Sequence, residues 1–404
     1  TEKCPSRKVP DRFNEQMGLT RAINIPFPQA IPKKATINRD YCLHFTKGKC
    51  GVCAKVCPTK AVDYDMEDQF VTEEVGAIVV ATGFDLFDYS VYGEYGAGRY
   101  PDVISGLQYE RILSASGPYG GHIRRPSDGR EPKTVVFISC VGSRDISVDR
   151  PYCSGVCCMY QAKQAILTRD HLPDSKCYVF YMDIRSPGKG YDEFVRRAQE
   201  EYGVQYVRGR VGKVYPRGDR MVVQGADTLL GAQVEVEADL VVLATGIDAA
   251  AGARSLAEKL RISYDKYGFY MESHPKLRPV ETNTAGVYLA GVCQGPKDIP
   301  SSVAMGSAAA AKVLSLFARD MIETDPQVAL VNERNCISCG KCIQVCPFGA
   351  IHWKELRGGI RKAEVLQSVC QGCGLCNATC PPKAIQLQHC TDNQILAEVN
   401  ELCA

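Results

Sequence analysis

One cysteine spacing, written twice near the end of the chain, constrains this sequence more than any other feature. Cys336-x2-Cys339-x2-Cys342-x3-Cys346-Pro347 returns as Cys370-x2-Cys373-x2-Cys376-x3-Cys380-Pro381. Three thiolates at this spacing fit one iron–sulfur cubane in a tight loop, and the fourth, beyond the x3 step, reaches a neighbouring cluster. One [4Fe–4S] cluster is therefore expected on Cys336, Cys339, Cys342 and Cys380. The other is expected on Cys370, Cys373, Cys376 and Cys346. A tetrahedral zinc site gains nothing from that fourth spacing.

The chain carries 21 cysteines in 404 residues. In a small exported protein they would suggest disulfides, but this chain is long and Thr1 begins no basic-then-apolar leader. Thiolate ligation is expected instead. Cys42-x7-Cys50-x2-Cys53-x3-Cys57-Pro58 is the same motif with its first gap enlarged, and Cys4-Pro5 resembles the tail of a preceding copy. Two ligand sets stay open. Crosswise, Cys42, Cys50 and Cys53 take Cys4, while Cys57 serves a cluster whose other ligands lie elsewhere. Alternatively Cys42, Cys50, Cys53 and Cys57 hold one cluster and Cys4 is spare. The crosswise reading puts a missing ligand, cysteine or selenocysteine, immediately before Thr1. The chain would then be the downstream piece of a longer polypeptide; a separately encoded protein is the alternative.

A fourth group, Cys140-x12-Cys153-x3-Cys157-Cys158, has no regular spacing. It fits a further cubane, a redox-active thiol pair or buried structural cysteines. Cys177, Cys293, Cys390 and Cys403 read as core or surface thiols.

The formal charge of +2 is scattered, so no nucleic-acid footprint is expected. Apolar stretches such as Gly76–Gly83 and Ser307–Phe317 look too short to span a bilayer, which predicts a cytoplasmic protein without a transmembrane segment. Strand-like runs at Ala77–Ala81, Thr134–Ser139, Cys177–Met182 and Leu240–Ala244 accompany helical patterns at Met159–Arg169, Tyr191–Tyr202 and Ser301–Ala318. Two of these strands end in Ala-Thr-Gly, at Ala81-Thr82-Gly83 and Ala244-Thr245-Gly246, and Thr284–Gly291 has a similar build. Together they resemble the thioredoxin-reductase-like two-dinucleotide fold.

No Gly-x-Gly-x-x-Gly follows a strand, and Gly96-Ala-Gly98 reads as plain loop. The first phosphate-binding unit is therefore expected upstream of Thr1. Thr134–Ser139 runs into Cys140-Val-Gly-Ser-Arg144 instead of a glycine-rich turn, so pyridine-nucleotide binding is not expected. The expected division is 1–63, an inserted ferredoxin-like cluster module; 64–101 with 247–325, part of an FAD domain; 102–246, a degenerate nicotinamide-domain-like region; and 326–404, a two-cluster ferredoxin domain. The fold class is α/β with ferredoxin-like α+β modules at both ends, and Glu323–Asn335 reads as a linker before the last.

Four longer motifs add a resemblance. Ile25-Pro-Phe-Pro-Gln-Ala30, Phe137-Ile-Ser-Cys-Val-Gly-Ser143, Tyr152-Cys-Ser-Gly-Val-Cys-Cys-Met159 and Gln294-Gly-Pro-Lys-Asp-Ile-Pro300 make the chain similar to the A-type iron–sulfur flavoprotein of heterodisulfide reductase. The match runs the whole length but covers only the later part of such a protein. It implies FAD, about four [4Fe–4S] clusters with a fifth shared upstream, and division of electron pairs between strongly and weakly reducing paths. It also implies a cytoplasmic complex, dimeric as a whole, with iron–sulfur partners resembling the B- and C-type components of heterodisulfide reductase. An electron-input component such as a hydrogenase or formate dehydrogenase would complete it. Related proteins also serve other acceptors, including aromatic acyl-CoA thioesters.

By the same resemblance, FAD would contact Ala81, Thr82, Gly83, Gly291, Val292, Gln294, Lys297, Asp298, Ile299 and Pro300. The helix starting there would aim its N-terminus at the flavin and stabilise negative charge on the reduced ring. Lys297 either adds a charge near the ring or is a solvated loop lysine. Val292 stands where related reductases often carry Asp. Two rivals remain: a polyferredoxin-like conduit whose α/β body no longer binds flavin, and a nicotinamide-dependent oxidoreductase.

Overall fold

A computed structural model describes residues 2–318, 321 and 326–403. It divides into two units: residues 1–73 with 86–247, and residues 74–85 with 248–404.

The first unit is built on five parallel strands in the order Gln205–Arg208, Lys176–Tyr181, Thr134–Val141, Leu240–Thr245 and Val103–Ser105. The run from Thr134 to Val141 is almost continuously apolar because both faces of a parallel sheet are covered. Successive side chains point to opposite faces. Val135, Phe137, Leu240 and Val242 pack with Tyr109, Ile112, Ala162 and Ala165 on the helical side. Val136, Ile138, Val241 and Leu243 face the other way, toward Val214, Val223 and Val236 of a three-stranded antiparallel meander, Val211–Arg217, Arg220–Asp227 and Ala232–Ala238.

Phe87, Tyr92 and Tyr95 join that second core. Residues 86–101 therefore pack with the five-stranded sheet, not with the Gly76–Gly83 strand to which the sequence had assigned them. Their aromatic side chains decide the matter, since large rings go where a core can enclose them. The N-terminal segment is spare by comparison. It has two paired ladders of two-residue strands, two five-residue helices, Leu43–Lys47 and Val52–Val56, and a core of Val9, Ala22 and Cys42 with Cys4, Ile37 and Phe45 against it.

In the second unit Ile78–Val80 and Val287–Leu289 pair in parallel, with Leu289 opposite Val80. The helix Ile299–Phe317 follows; the Asp298 carboxylate accepts the Ser301 N–H and Pro300 occupies the first turn. These caps start the helix eight residues ahead of Ser307. Its 19 residues are long and apolar enough to cross a membrane by length and composition. The expectation that every apolar stretch is too short fails on this point.

The C-terminal module repeats one plan twice. Ala329–Val331 pairs with Ile385–Leu387, Ile351–Glu355 pairs with Arg361–Val365, and the five-residue helices Lys341–Val345 and Leu375–Thr379 carry cysteines. The expected linker 323–335 is interrupted by the Ala329–Val331 strand, and its first residues, 323–325, lie outside the described residues. Asp392–Leu402 is helical, started by a Thr391–Gln394 capping box.

Candidate metal and flavin sites

In the C-terminal module the chain brings the cysteines together in two sets of four. One small cavity is lined by Cys336, Cys339, Cys342 and Cys380, with Trp353, Ala363 and Ile385 in its wall. The other is lined by Cys346, Cys370, Cys373 and Cys376, with Ala329, Ile351 and Leu387. Each fourth cysteine opens a Cys-Pro-x-x-Ala turn that returns an amide to the sulfur. Ala350 N–H donates to Cys346 Sγ and Ala384 N–H to Cys380 Sγ, both at 3.3 Å, while Ala329 N–H donates to Cys370 Sγ at 3.4 Å.

Burial raises the Cys342 thiol and pushes Cys376 up to about 11. Thiols converging in an apolar wall ionise only beside a positively charged body, which is what an iron–sulfur core supplies. Each cavity takes three cysteines from one loop and the fourth from the other copy, the donor set of a cubane.

Near the N-terminus, Cys4, Cys42, Cys50 and Cys53 line one cavity with Ala22, Ile23 and Ile37. Cys57 is not among them; it lines a larger, more open cavity of about 860 Å³ together with Lys3, Cys4, Cys53 and Tyr64. Its Cys57-Pro58-x-x-Ala61 turn nonetheless repeats the C-terminal ones, with Ala61 N–H donating to Cys57 Sγ at 3.4 Å.

The irregular group sits on the five-stranded sheet. Cys140, the penultimate residue of the Thr134–Val141 strand, has φ of 60°, a left-handed conformation that residues other than glycine rarely adopt. Cys157 and Cys158 open the helix Cys157–His171, whose N-cap Val156 offers no side-chain acceptor. The free N–H groups and positive end of that helix therefore face the thiols, an arrangement that favours thiolate. The Cys157 thiol lowers both neighbours by hydrogen bonding, Cys158 to about 6, and is itself raised. Gly155 N–H donates to Cys153 Sγ and Arg185 N–H to Cys158 Sγ, both at 3.4 Å.

Two buried donor atoms at this group lack a hydrogen-bond partner among the described residues, Arg144 Nη1 and Tyr206 Oη. Arg144 bonds Asp183 through Nη2 at 2.8 Å, and its guanidinium helps to lower the Cys140 thiol. Neither residue was legible as functional in the sequence, because only the fold brings Tyr206 near Cys158.

The candidate flavin residues gather at the adjacent ends of Ile78–Val80 and Val287–Leu289, the carboxyl edge where open α/β sheets bind ligands. Gly83 and Gly291 have φ of 72° and 78°, and a Cβ on Gly83 would meet nothing within 4 Å. The other Ala-Thr-Gly is closed: a Cβ on Gly246 would lie 2.3 Å from Gly142 O. Gln294 donates to Glu272 at 2.7 Å and accepts from Lys297 Nζ at 2.9 Å, and burial lowers the Lys297 ammonium. Asp298 is occupied as the helix cap, Ile299 and Pro300 lie exposed in the first turn, and Val292 is half-buried. Cys293 donates to Val80 O at 3.2 Å beneath the strand ends, and Cys177 is a core thiol that burial pushes up to about 12.

The family model of the 4Fe-4S dicluster domain matches residues 329–387. The C-terminal module is thus an iron–sulfur dicluster domain, and the class is that of iron–sulfur proteins. The chain is 47% identical over 90% of its length to the A-type component of the H(2):CoB-CoM heterodisulfide,ferredoxin reductase of Methanothermobacter marburgensis, of which it covers 54%. It is 44% identical over 98% of its length to the A-type iron-sulfur component of the CoB--CoM heterodisulfide reductase of Methanocaldococcus jannaschii, covering 60% of that protein. The chain is thus similar over most of its length to the A-type iron–sulfur components of heterodisulfide reductase, and spans little more than half the length of these relatives. A solved thioredoxin reductase from T. acidophilum is similar at 16% identity and a TM-score of 0.39, over 60% of this chain and 66% of that one, a likeness too slight to carry an argument.

Proposed function

We propose that this chain is the electron-transferring part of a heterodisulfide-reductase-like complex, carrying [4Fe–4S] clusters and the ring-facing side of an FAD site. The observation that carries the reading is the lining of three separate cavities by four cysteines each. The ligand sets we assign are Cys336, Cys339, Cys342 and Cys380; Cys346, Cys370, Cys373 and Cys376; Cys4, Cys42, Cys50 and Cys53; and Cys140, Cys153, Cys157 and Cys158. Cys57, with its prepared turn, would serve a cluster completed by another segment.

Such clusters supply one-electron transfer without rearrangement of ligands. The protein's part is to hold thiolates in apolar walls and direct amides at their sulfurs, which tunes potential. FAD would supply the step between paired and single electrons. Gly83 and Gly291 leave room for its approach, the Ile299–Phe317 helix end favours negative charge, and Lys297 stands beside that end. The rest of the flavin fold would come from an upstream part, against the half-exposed Ile78 and Val79. An H2-, formate- or ferredoxin-linked input component is in keeping with the names of the relatives. Division of electron pairs, B- and C-like partners, a dimeric complex and a cytoplasmic setting are proposed with it.

The ligand assignment is tested by Cys380→Ala and Cys346→Ala in the assembled protein. Each should remove about four iron atoms, and Cys380→Ala should spare the cluster on the Cys370–Cys376 loop that its own copy supplies. Loss of that cluster instead would overturn the crosswise sets. A second reading for Cys140–Cys158, a redox thiol pair, is favoured by the low Cys158 thiol. Unchanged iron with loss of one titratable thiol pair in the Cys157→Ser, Cys158→Ser double variant would select it.

A further inference from the structure

We propose that Tyr64 is a positioning residue for the N-terminal cluster, its hydroxyl donating a hydrogen bond to the Cys53 thiolate and thereby raising that cluster's reduction potential. The inference rests on the assignment of Cys53 as an iron ligand. Tyr64 Oη lies 2.8 Å from Cys53 Sγ. Its ring stacks on His44 with centroids 3.8 Å apart and planes at 11°, and meets the edge of Phe45 at 5.9 Å. His44 is itself fixed, through Nδ1 to Cys50 O at 2.7 Å. The hydroxyl is thus aimed by a clamped ring and does not reach the sulfur as a free side chain.

Comparison among the three cysteine copies isolates the hydroxyl. Tyr64 comes seven residues after Cys57, Trp353 seven after Cys346, and Leu387 seven after Cys380. Trp353 walls the cavity of Cys336, Cys339 and Cys342, and Leu387 walls that of Cys370, Cys373 and Cys376. In both C-terminal copies this position therefore covers the three-cysteine loop of its own motif, while Tyr64 stands beside Cys53 in the larger neighbouring cavity. An apolar side chain suffices for covering, as Leu387 demonstrates. Stacking on His44 needs only a ring, so neither role requires the oxygen.

One electron added to a cluster adds one negative charge, part of it on the ligand sulfurs. A hydrogen bond donated to a sulfur offsets that charge and makes reduction easier. The phenol keeps its proton throughout, so no proton acceptor is needed. The N-terminal cluster should then lie at a higher potential than the same loop would with phenylalanine at residue 64.

The test is a redox titration followed by electron paramagnetic resonance on the whole protein, anaerobically, comparing wild type with Tyr64→Phe. Cys53→Ala identifies the signal concerned by abolishing it with about four iron atoms; if it abolishes neither, the ligand assignment itself fails. With that signal identified, Tyr64→Phe should shift its midpoint to lower potential, leave the other midpoints in place and retain all iron. Loss of an exchangeable proton coupling from the same signal in deuterated solvent should accompany the shift. An unmoved midpoint with full iron overturns the proposal. Loss of iron in Tyr64→Phe also overturns it, since the hydroxyl would then hold the site together instead of tuning it.

Discussion

The C-terminal module and the Cys140–Cys158 group both gather four or more thiols, yet they stand on opposite foundations. In the module the cysteines are part of the core: Cys342 and Cys376 are buried with Ala329, Ile351, Ala363, Ile385 and Leu387, and Cys336, Cys346, Cys370 and Cys380 pack against them. Its cysteine-bearing helices have five residues each, well short of the length that holds a helix alone in water. On the five-stranded sheet the thiols instead decorate a scaffold already packed on both faces. Where metal replaces a hydrophobic core, the ligand spacing must be regular and local. Where a sheet already holds the backbone, ligands can come from a strand end, a loop and a helix start at any spacing.

The contrast is broken most sharply by removing iron. Chelation under reducing conditions should unfold the module of residues 329–387 while the five-stranded sheet persists. Hydrogen exchange resolved by peptide checks this: rapid exchange confined to the module supports the account, and equal exposure of both regions contradicts it.

Phe137→Ala should do the reverse. Phe137 is fully buried in the sheet, and its truncation should cost about 3–5 kcal/mol of that unit's stability, read by denaturant unfolding, with module iron unchanged. Gly142→Ala is expected to cost less, about 1–3 kcal/mol, through overpacking. A Cβ there would stand 2.0 Å from Phe87 Cδ1, and φ is 75°. The smallest expected effect on folding belongs to Cys157→Ser with Cys158→Ser. Cluster loss should remove about four iron atoms, yet the sheet's unfolding midpoint should barely move.

The same contrast explains what was legible in the sequence. Regular ligand spacing is a local signal, and the C-terminal dicluster domain could be read from eight cysteines and two prolines. The strands Thr134–Val141 and Leu240–Thr245 were legible because both of their faces are buried, which leaves an unbroken apolar run. The packing of residues 86–101 was not, because Phe87, Tyr92 and Tyr95 choose their core by tertiary fit and no periodicity reports it. The Ala329–Val331 strand was hidden for a related reason: it is short and its partner, Ile385–Leu387, lies more than fifty residues on. Arg144 and Tyr206 carry no motif at all, and their relation to the thiols exists only once the chain has folded. Tyr64 shares its offset from the fourth cysteine with Trp353 and Leu387, but those three side chains differ, so the offset alone does not report a hydroxyl aimed at sulfur.

The central claim is that the cysteine groups of this chain are iron–sulfur sites, the irregular one included. Iron content per chain, measured together with Mössbauer spectra on anaerobically isolated protein, tests it most directly. The account predicts about 16 iron atoms per chain, all in [4Fe–4S] form, with more only if the cluster at Cys57 is completed by another segment. About eight, confined to the dicluster domain, would contradict it.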